Sequence, residues 1–215
     1  MTKPRVIMAD DHSLILAGMR RLVEEECEVV GMVEDGRALV TAAQKLRPDL
    51  ILMDISMPLL NGLEAARQLS KLVPESKLIF LTMHASPTYA TEAFQAGASG
   101  YLLKRSAASE LRQAIQSVLQ GQHYLTPLIT KDVLNSVLKP SIGERGKPTS
   151  TALTARQREV LQLVAEGRST KEIATILSVS VKTVEFHKSR IMQQLDIHTT
   201  ADLTKYAITH GITGL

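Results

Sequence analysis

The chain has 215 residues, 44% hydrophobic and 22% charged, with a formal net charge of +3. That is enough apolar material for a core, while a single cysteine, Cys27, excludes an internal disulfide and fits a reducing compartment. Aromatic residues make up 3% with no Trp, which counts against a carbohydrate or ring-stacking binder, and no apolar run approaches the roughly 18 residues of a membrane span.

The start, MTKPRVIMAD, has only a four-residue apolar run before Asp10, shorter than the roughly 7–15 residues of a signal-peptide core. A cytoplasmic protein with no membrane partner is expected. Charge is uneven. Residues 1–125 carry 13 basic and 14 acidic side chains, whereas 151–215 carry 8 and 6. The mild excess has the sign that suits nucleic acid.

In chain order, the apolar runs RVIMAD, CEVVGMV, LILMD, KLIFLT and GYLLK read as buried strands. Helical patterns at about 14–25, 38–46, 63–72, 88–96 and 109–120 separate them. This alternation predicts an α/β domain: a doubly wound, five-stranded parallel sheet with helices on both faces. Cys27 falls in a strand and reads as a small core residue. TPLITKDVLNSVL follows, with Thr126 as a cap and Pro127 opening one short amphipathic helix. KPSIGERGKPTST then reads as an exposed linker. From Leu153 onward only helical patterns remain. The expected domains are 1–125, a tether and linker over 126–151, and a small all-α domain over 152–215.

The strand ends carry the chemistry. The first strand ends at Asp10-Asp11, the third at Asp54, the fourth at Thr82 and the fifth at Lys104. In a parallel sheet these ends share one edge, where ligands of such folds bind. Clustered carboxylates suit a hard cation such as Mg²⁺. A hydroxyl and an ammonium facing it suit phosphoryl oxygens, and a carboxylate there can become an aspartyl phosphate. Each residue alone has a plain alternative as a cap, a turn or a solvated lysine. Their conjunction at successive strand ends is hard to obtain by accident.

These pieces, VIMADDHSL, LILMDISMPLLNG, IFLTMHA and GASGYLLKRS, resemble a response-regulator receiver domain, of flavodoxin-like fold, across residues 1–125. The resemblance implies that Asp54 accepts phosphate from a sensor histidine kinase or a small phosphodonor. It implies that Asp11, Asp54 and the backbone carbonyl of Ser56 bind Mg²⁺, with Asp10 acting through water, and that Thr82 and Lys104 meet the phosphoryl oxygens. Tyr101 matches an aromatic whose rotamer changes with Thr82, moving into the space that Thr82 leaves. Ser56 and His84 match variable positions that tune acyl-phosphate hydrolysis, and the protein is expected to dephosphorylate itself rather than to act as an enzyme on other substrates. Arg105 stands where many receivers have Pro, so no cis peptide is expected there.

In the C-terminal part, Thr154 with Gln157 and Ser169 with Glu172 form two capping-box patterns. The break Ser178-Val179-Ser180 separates RSTKEIATIL from VKTVEFHKSRIMQQL, a helix-turn-helix pattern. Projected as a helix, Val184, Ile191 and Leu195 make the core stripe. Lys182, Glu185, Phe186, Ser189 and Gln193 lie opposite, with Arg190 at the flank. An exposed Phe among these polar residues suits a helix in the DNA major groove, although a surface helix with one stray Phe has the same pattern. Residues 153–203 resemble the LuxR-type DNA-binding domain, and the two domains together resemble the NarL/FixJ family of transcription regulators. That implies a scaffold helix at 170–177, a recognition helix at 181–194 and a dimerisation helix at about 200–210. The expected DNA contacts are Lys182, Thr183, Glu185, Phe186, Lys188, Ser189 and Arg190. Gln194 stands where the family often has Lys, and His187 reads as structural. The partners implied are double-stranded DNA, a histidine kinase and a second copy of the chain. Two other functions compete: a stand-alone aspartyl-phosphate phosphatase, and a phosphorylation-independent regulator with a vestigial receiver. The first leaves the C-terminal helices unexplained. The second leaves the intact acidic set unexplained.

Overall fold

The structure is a computed structural model that describes residues 3–138 and 153–213. The expected linker at 139–151 lies outside the described residues. In the N-terminal domain, β1 (Arg5–Ala9), β2 (Glu28–Val33), β3 (Leu50–Met53), β4 (Lys77–Thr82) and β5 (Gly100–Leu103) alternate with α1 (Ser13–Glu26), α2 (Gly36–Leu46), α3 (Gly62–Leu72), α4 (Pro87–Gln95) and α5 (Ala107–Leu119). The pairs among these strands are all parallel, in the order β2-β1-β3-β4-β5. Helices cover both faces, so β3 and β5 are buried at every residue, which is why their sequences run apolar without alternation. One core layer joins α2, α3 and α4 to the sheet, and the other joins α1 and α5. Cys27 lies in the second layer, where burial pushes its thiol up to about 11.

The sheet has six strands where five are expected from the sequence. The addition is β6, Tyr124–Leu125, parallel to β5. It is joined by the Tyr124 amide to the Ser99 carbonyl and the Thr126 amide to the Tyr101 carbonyl, each at 3.0 Å. Two residues are too few to show a period. Thr126 also differs from its expected use as a cap. Its hydroxyl accepts from the Leu103 amide at 3.1 Å and donates to Glu110 at 3.0 Å. The following helix, α6 (Pro127–Leu138), sends Ile129 into the α2–α3–α4 core layer and packs along α4.

The C-terminal domain is helical: α7 (Ala155–Ala165), α8 (Thr170–Ile176), α9 (Val181–Leu195) and α10 (Thr200–Thr209). Both capping boxes form. The Thr154 side chain accepts from the Gln157 amide and the Ser169 side chain from the Glu172 amide, and each partner side chain reaches back to the cap. Val160, Leu163, Ile173, Val184, Ile191 and Leu203 fill the small core.

Candidate functional site

The parallel register carries the carboxyl ends of β1, β3, β4 and β5 to one edge of the sheet. Asp10 and Asp54 are both buried there, each 4% exposed. The Lys104 ammonium lies 2.7 Å from Asp10 Oδ2 and 2.7 Å from Asp54 Oδ2. Asp54 Oδ1 accepts from the Ile55 amide at 2.6 Å. Burial opposes the lysine charge, but hydrogen bonds to Asp10 and then Asp54 outweigh it, and the ammonium is held above its ordinary pKa. One shared cation thus makes it possible to bury two carboxylates.

Asp11 faces solvent and pairs with His12 Nδ1 at 2.8 Å, and the same nitrogen lies 3.3 Å from Asp10 Oδ1. Ligand atoms of Asp10, Asp11 and His12 lie within 4.8 Å of one another. Oxygen donors from two adjacent acids suit a hard cation. His12 was not singled out from the sequence, although the DDH tripeptide contains the signal. Thr82 is fully buried at the end of β4, and its hydroxyl accepts from the His84 amide at 3.3 Å. The Ser56 hydroxyl lies 2.9 Å from His84 Nε2. Burial holds the His84 imidazole below its usual pKa, against the opposing pull of Asp54. Tyr101 is already inside. It is 0% exposed and donates to the His84 carbonyl at 2.8 Å. Space vacated by Thr82 is therefore not needed to admit it.

The loop from Asp54 to α3 is tightly folded. The Gly62 amide donates to the Ile55 carbonyl at 2.8 Å, and a Cβ on Gly62 would lie 2.1 Å from the Asp54 carbonyl oxygen. Leu59 is left-handed at φ 64°, a conformation that costs a residue with a Cβ roughly 1–2 kcal/mol. The C-terminal domain lies against this loop. The Leu59 side chain packs on that domain's core. The Leu59 amide donates to Glu166 at 3.1 Å and the Asn61 amide to Gln162 Oε1 at 2.8 Å. Gln162 Nε2 returns a bond to the Met57 carbonyl at 2.9 Å. Around the loop, Arg158 and Arg67 pair with buried Glu64, and Arg37 meets Glu159 at 3.0 Å. Nothing in the local sequence pattern marks these long-range pairs.

On α9, Val184 and Ile191 are buried as projected. Lys182, Glu185, Phe186, Ser189, Arg190 and Gln193 are exposed, Phe186 at 57%. The Arg190 guanidinium carbon lies 5.6 Å from the Phe186 ring centroid. Thr183 sits lower on the helix, its hydroxyl 2.8 Å from that of Ser180. Lys188 is half-buried and its ammonium donates to Thr200 Oγ1 at 3.1 Å. Gln194 accepts from Gln157 at 3.1 Å, an internal use that a lysine would not reproduce.

Residues 6–116 match the model of the response regulator receiver domain, and residues 151–207 match that of bacterial regulatory proteins of the luxR family. The transcriptional regulatory protein DegU of Brevibacillus brevis is 37% identical over 97% of this chain and 94% of its own length. The response regulator UvrY of Escherichia coli K12 is 35% identical over 96% of this chain and 94% of its own length. Among solved structures, the RcsB response regulator of Salmonella typhimurium aligns at a TM-score of 0.65 and 29% identity, covering 100% of both chains. A structure of the RcsB–DNA complex aligns at 0.58 and 28%, covering 95% of this chain and 98% of the other. With a receiver domain ahead of a luxR-type domain and full-length relatives of the same build, the chain belongs to the NarL/FixJ family of response regulators.

Proposed function

We propose that the protein is a DNA-binding transcription regulator switched by phosphorylation of Asp54, with a receiver over 1–125, a tether and linker over 126–151 and a DNA-binding domain over 152–215. The observation that carries this is the Lys104 ammonium held at 2.7 Å from both Asp10 and Asp54. It marks where negative charge can accumulate and be met by a fixed cation. The Asp54 carboxylate attacks the phosphorus of a phosphohistidine or a small acyl phosphate. A P–O acyl phosphate bond forms, and the bond to the donor breaks with its leaving group. Lys104 then turns to the phosphoryl oxygens, and the Thr82 hydroxyl donates to one of them. Asp11, Asp54 and the Ser56 carbonyl, with Asp10 through water, would hold Mg²⁺, which would supply neutralising charge there. Hydrolysis by water returns the carboxylate and inorganic phosphate, with Ser56 and His84 beside the path.

Phosphorylation adds charge and acceptor oxygens at one edge of the sheet. A two-state equilibrium then favours a homodimer through α10, with two copies of α9 in the major groove of duplex DNA. A cytoplasmic histidine-kinase pathway fits this chemistry, and no helix among the described residues is long and apolar enough to cross a membrane. Intact mass after incubation with acetyl phosphate and Mg²⁺ tests the reading. The wild type should gain one phosphoryl group, while Asp54→Ala, or wild type with EDTA, should gain none. Equal labelling of Asp54→Ala would remove Asp54 as acceptor. Absence of labelling in every sample would favour the phosphorylation-independent regulator.

A further inference from the structure

A cleft of about 370 Å³ opens where the two domains meet, a size that suits a small molecule. Residues of α3 and α4 form one wall. Residues of α7 and of the chain from Tyr206 to Ile212 form the other. Asp10, Asp54, Thr82 and Lys104 lie outside it, and so do the exposed residues of α9. The cleft therefore belongs neither to the acidic edge nor to the DNA-reading face.

Its charges are set in an uncommon way. Glu64, 2% exposed, takes the guanidinium groups of both Arg67 and Arg158. Two cations on one carboxylate leave a positive charge over. Both arginines are half-buried and line the cleft. Arg158 spends a further nitrogen on the Leu153 carbonyl, whereas Arg67 makes no other hydrogen bond among the described residues. Glu92, on α4, supplies the opposite sign. It is half-buried, and its carboxylate has no ion pair or hydrogen bond among the described residues. A polar group withdrawn from water is costly until something meets it. The Tyr206 hydroxyl also lacks a partner among these residues, and burial raises its pKa, so it remains a donor. Its ring is fixed by stacking on His210 at 3.8 Å and 19°. Leu63, Leu153 and Ile212, all buried, add apolar wall.

We propose that this cleft binds a small zwitterion, a free amino acid with an apolar side chain. Its carboxylate meets the spare donors of Arg67 and Arg158, where planar guanidinium suits it. Its ammonium meets the unpaired Glu92. Its side chain lies against Leu63, Leu153 and Ile212. The two acids and two arginines of the walls balance, so an occupant of no net charge fits better than either ion alone. A plain anion would face Glu92, and a plain cation would face the arginine pair. The protein would thus take a small-molecule input through groups that the chemistry at Asp54 does not use.

Isothermal titration calorimetry of the full chain tests the site. The probes are leucine, methionine and phenylalanine, each beside its analogue without the amino group and its analogue without the carboxylate. At least one amino acid should bind, and both of its analogues should bind at least tenfold more weakly. Glu92→Gln should bring that amino acid down to the level of its deaminated analogue. Arg67→Gln leaves Glu64 paired with Arg158, so the buried acid keeps a cation. It should weaken the amino acid and the deaminated analogue alike, at least tenfold, and spare the amine. Circular dichroism checks that the variants fold, and the analogues on wild type decide if they do not. No heat from any of the three amino acids overturns the site. A deaminated analogue that binds wild type as tightly as its parent overturns the zwitterion. Unchanged binding in both folded variants places the occupant elsewhere and overturns the assignment to this cleft.

Discussion

Tyr101 donates its hydroxyl to the backbone carbonyl of His84 at 2.8 Å with its ring fully buried. The bond ties β5 to the loop leaving β4, the loop that also meets Ser56. Burial raises the phenol's pKa, so the group remains a donor across the physiological range. Tyr101→Phe leaves the packing and orphans one carbonyl. Urea unfolding should show a loss of about 1 kcal/mol, and Asp54 should still accept phosphate. Loss of labelling in a folded Tyr101→Phe would mean that the hydroxyl belongs to the chemistry.

Lys104 is the shared counter-ion of two buried acids. Lys104→Met would leave Asp10 and Asp54 facing one another without a cation, an error worth about 3 kcal/mol when a buried pair is broken. The variant should lose that much stability in urea, and millimolar Mg²⁺ should restore part of it. A variant as stable as wild type without Mg²⁺ would mean that water screens the acids well.

Glu166 offers a dependence on pH. Burial against the loop holds its carboxyl above the ordinary 4.5, despite bonds from Gln162 and the Leu59 amide and the nearby Arg168 and Arg37. A raised carboxyl pKa means the closed form binds the proton better. Its contribution to closure is full below the ordinary value and fades as pH rises through the raised one. Small-angle scattering should show a more compact chain at the acidic end of that window. Glu166→Gln should flatten this difference, and an unchanged difference would assign it to another group.

For DNA reading, Glu185 stands free on the outer face of α9 and can accept from a cytosine amino group, while Phe186 can touch a thymine methyl. Glu185→Ala should change the preferred base at one position of each half-site, worth about 1–3 kcal/mol of discrimination. Lys188 leans toward Thr200 and should serve phosphates. Lys188→Ala should weaken all sequences alike and lower the salt slope by about one. Selection from random DNA with both variants separates the roles. An unchanged motif for the first and an altered one for the second would reverse them.

Ser169→Ala removes the cap of α8, the helix that supports α9. A loss of about 1 kcal/mol is expected, measured by thermal unfolding of the full chain. No measurable loss would mean that water replaces the hydroxyl.

Five strands, nine helices and the acidic edge were legible because each rests on local order, in apolar runs, caps and acids where runs end, whereas α10 was expected from the family resemblance alone. Thr154 with Gln157 and Ser169 with Glu172 are bonds between residues three apart, so the sequence displays them directly. β6 was not legible, since Tyr124–Leu125 is defined by its neighbour β5 rather than by its own pattern. The contacts of Gln162 with Met57 and Asn61 were not legible either. They span about a hundred positions, and a glutamine on a helix announces nothing about a distant backbone. Leu59 carried no sign of its left-handed backbone either, since such a turn position ordinarily calls for Gly or Asn.

In the closed chain, Phe186, Glu185 and Arg190 remain on an open surface. On the proposed function, the unphosphorylated chain is then not blind to the chromosome. A single copy can still hop and slide along nucleic acid through weak, salt-sensitive contacts, so copies would already be distributed near their operators before any stimulus. Activation would then need two neighbours to meet on a site, with no fresh search from bulk solution. The delay between signal and transcription would be set by pairing.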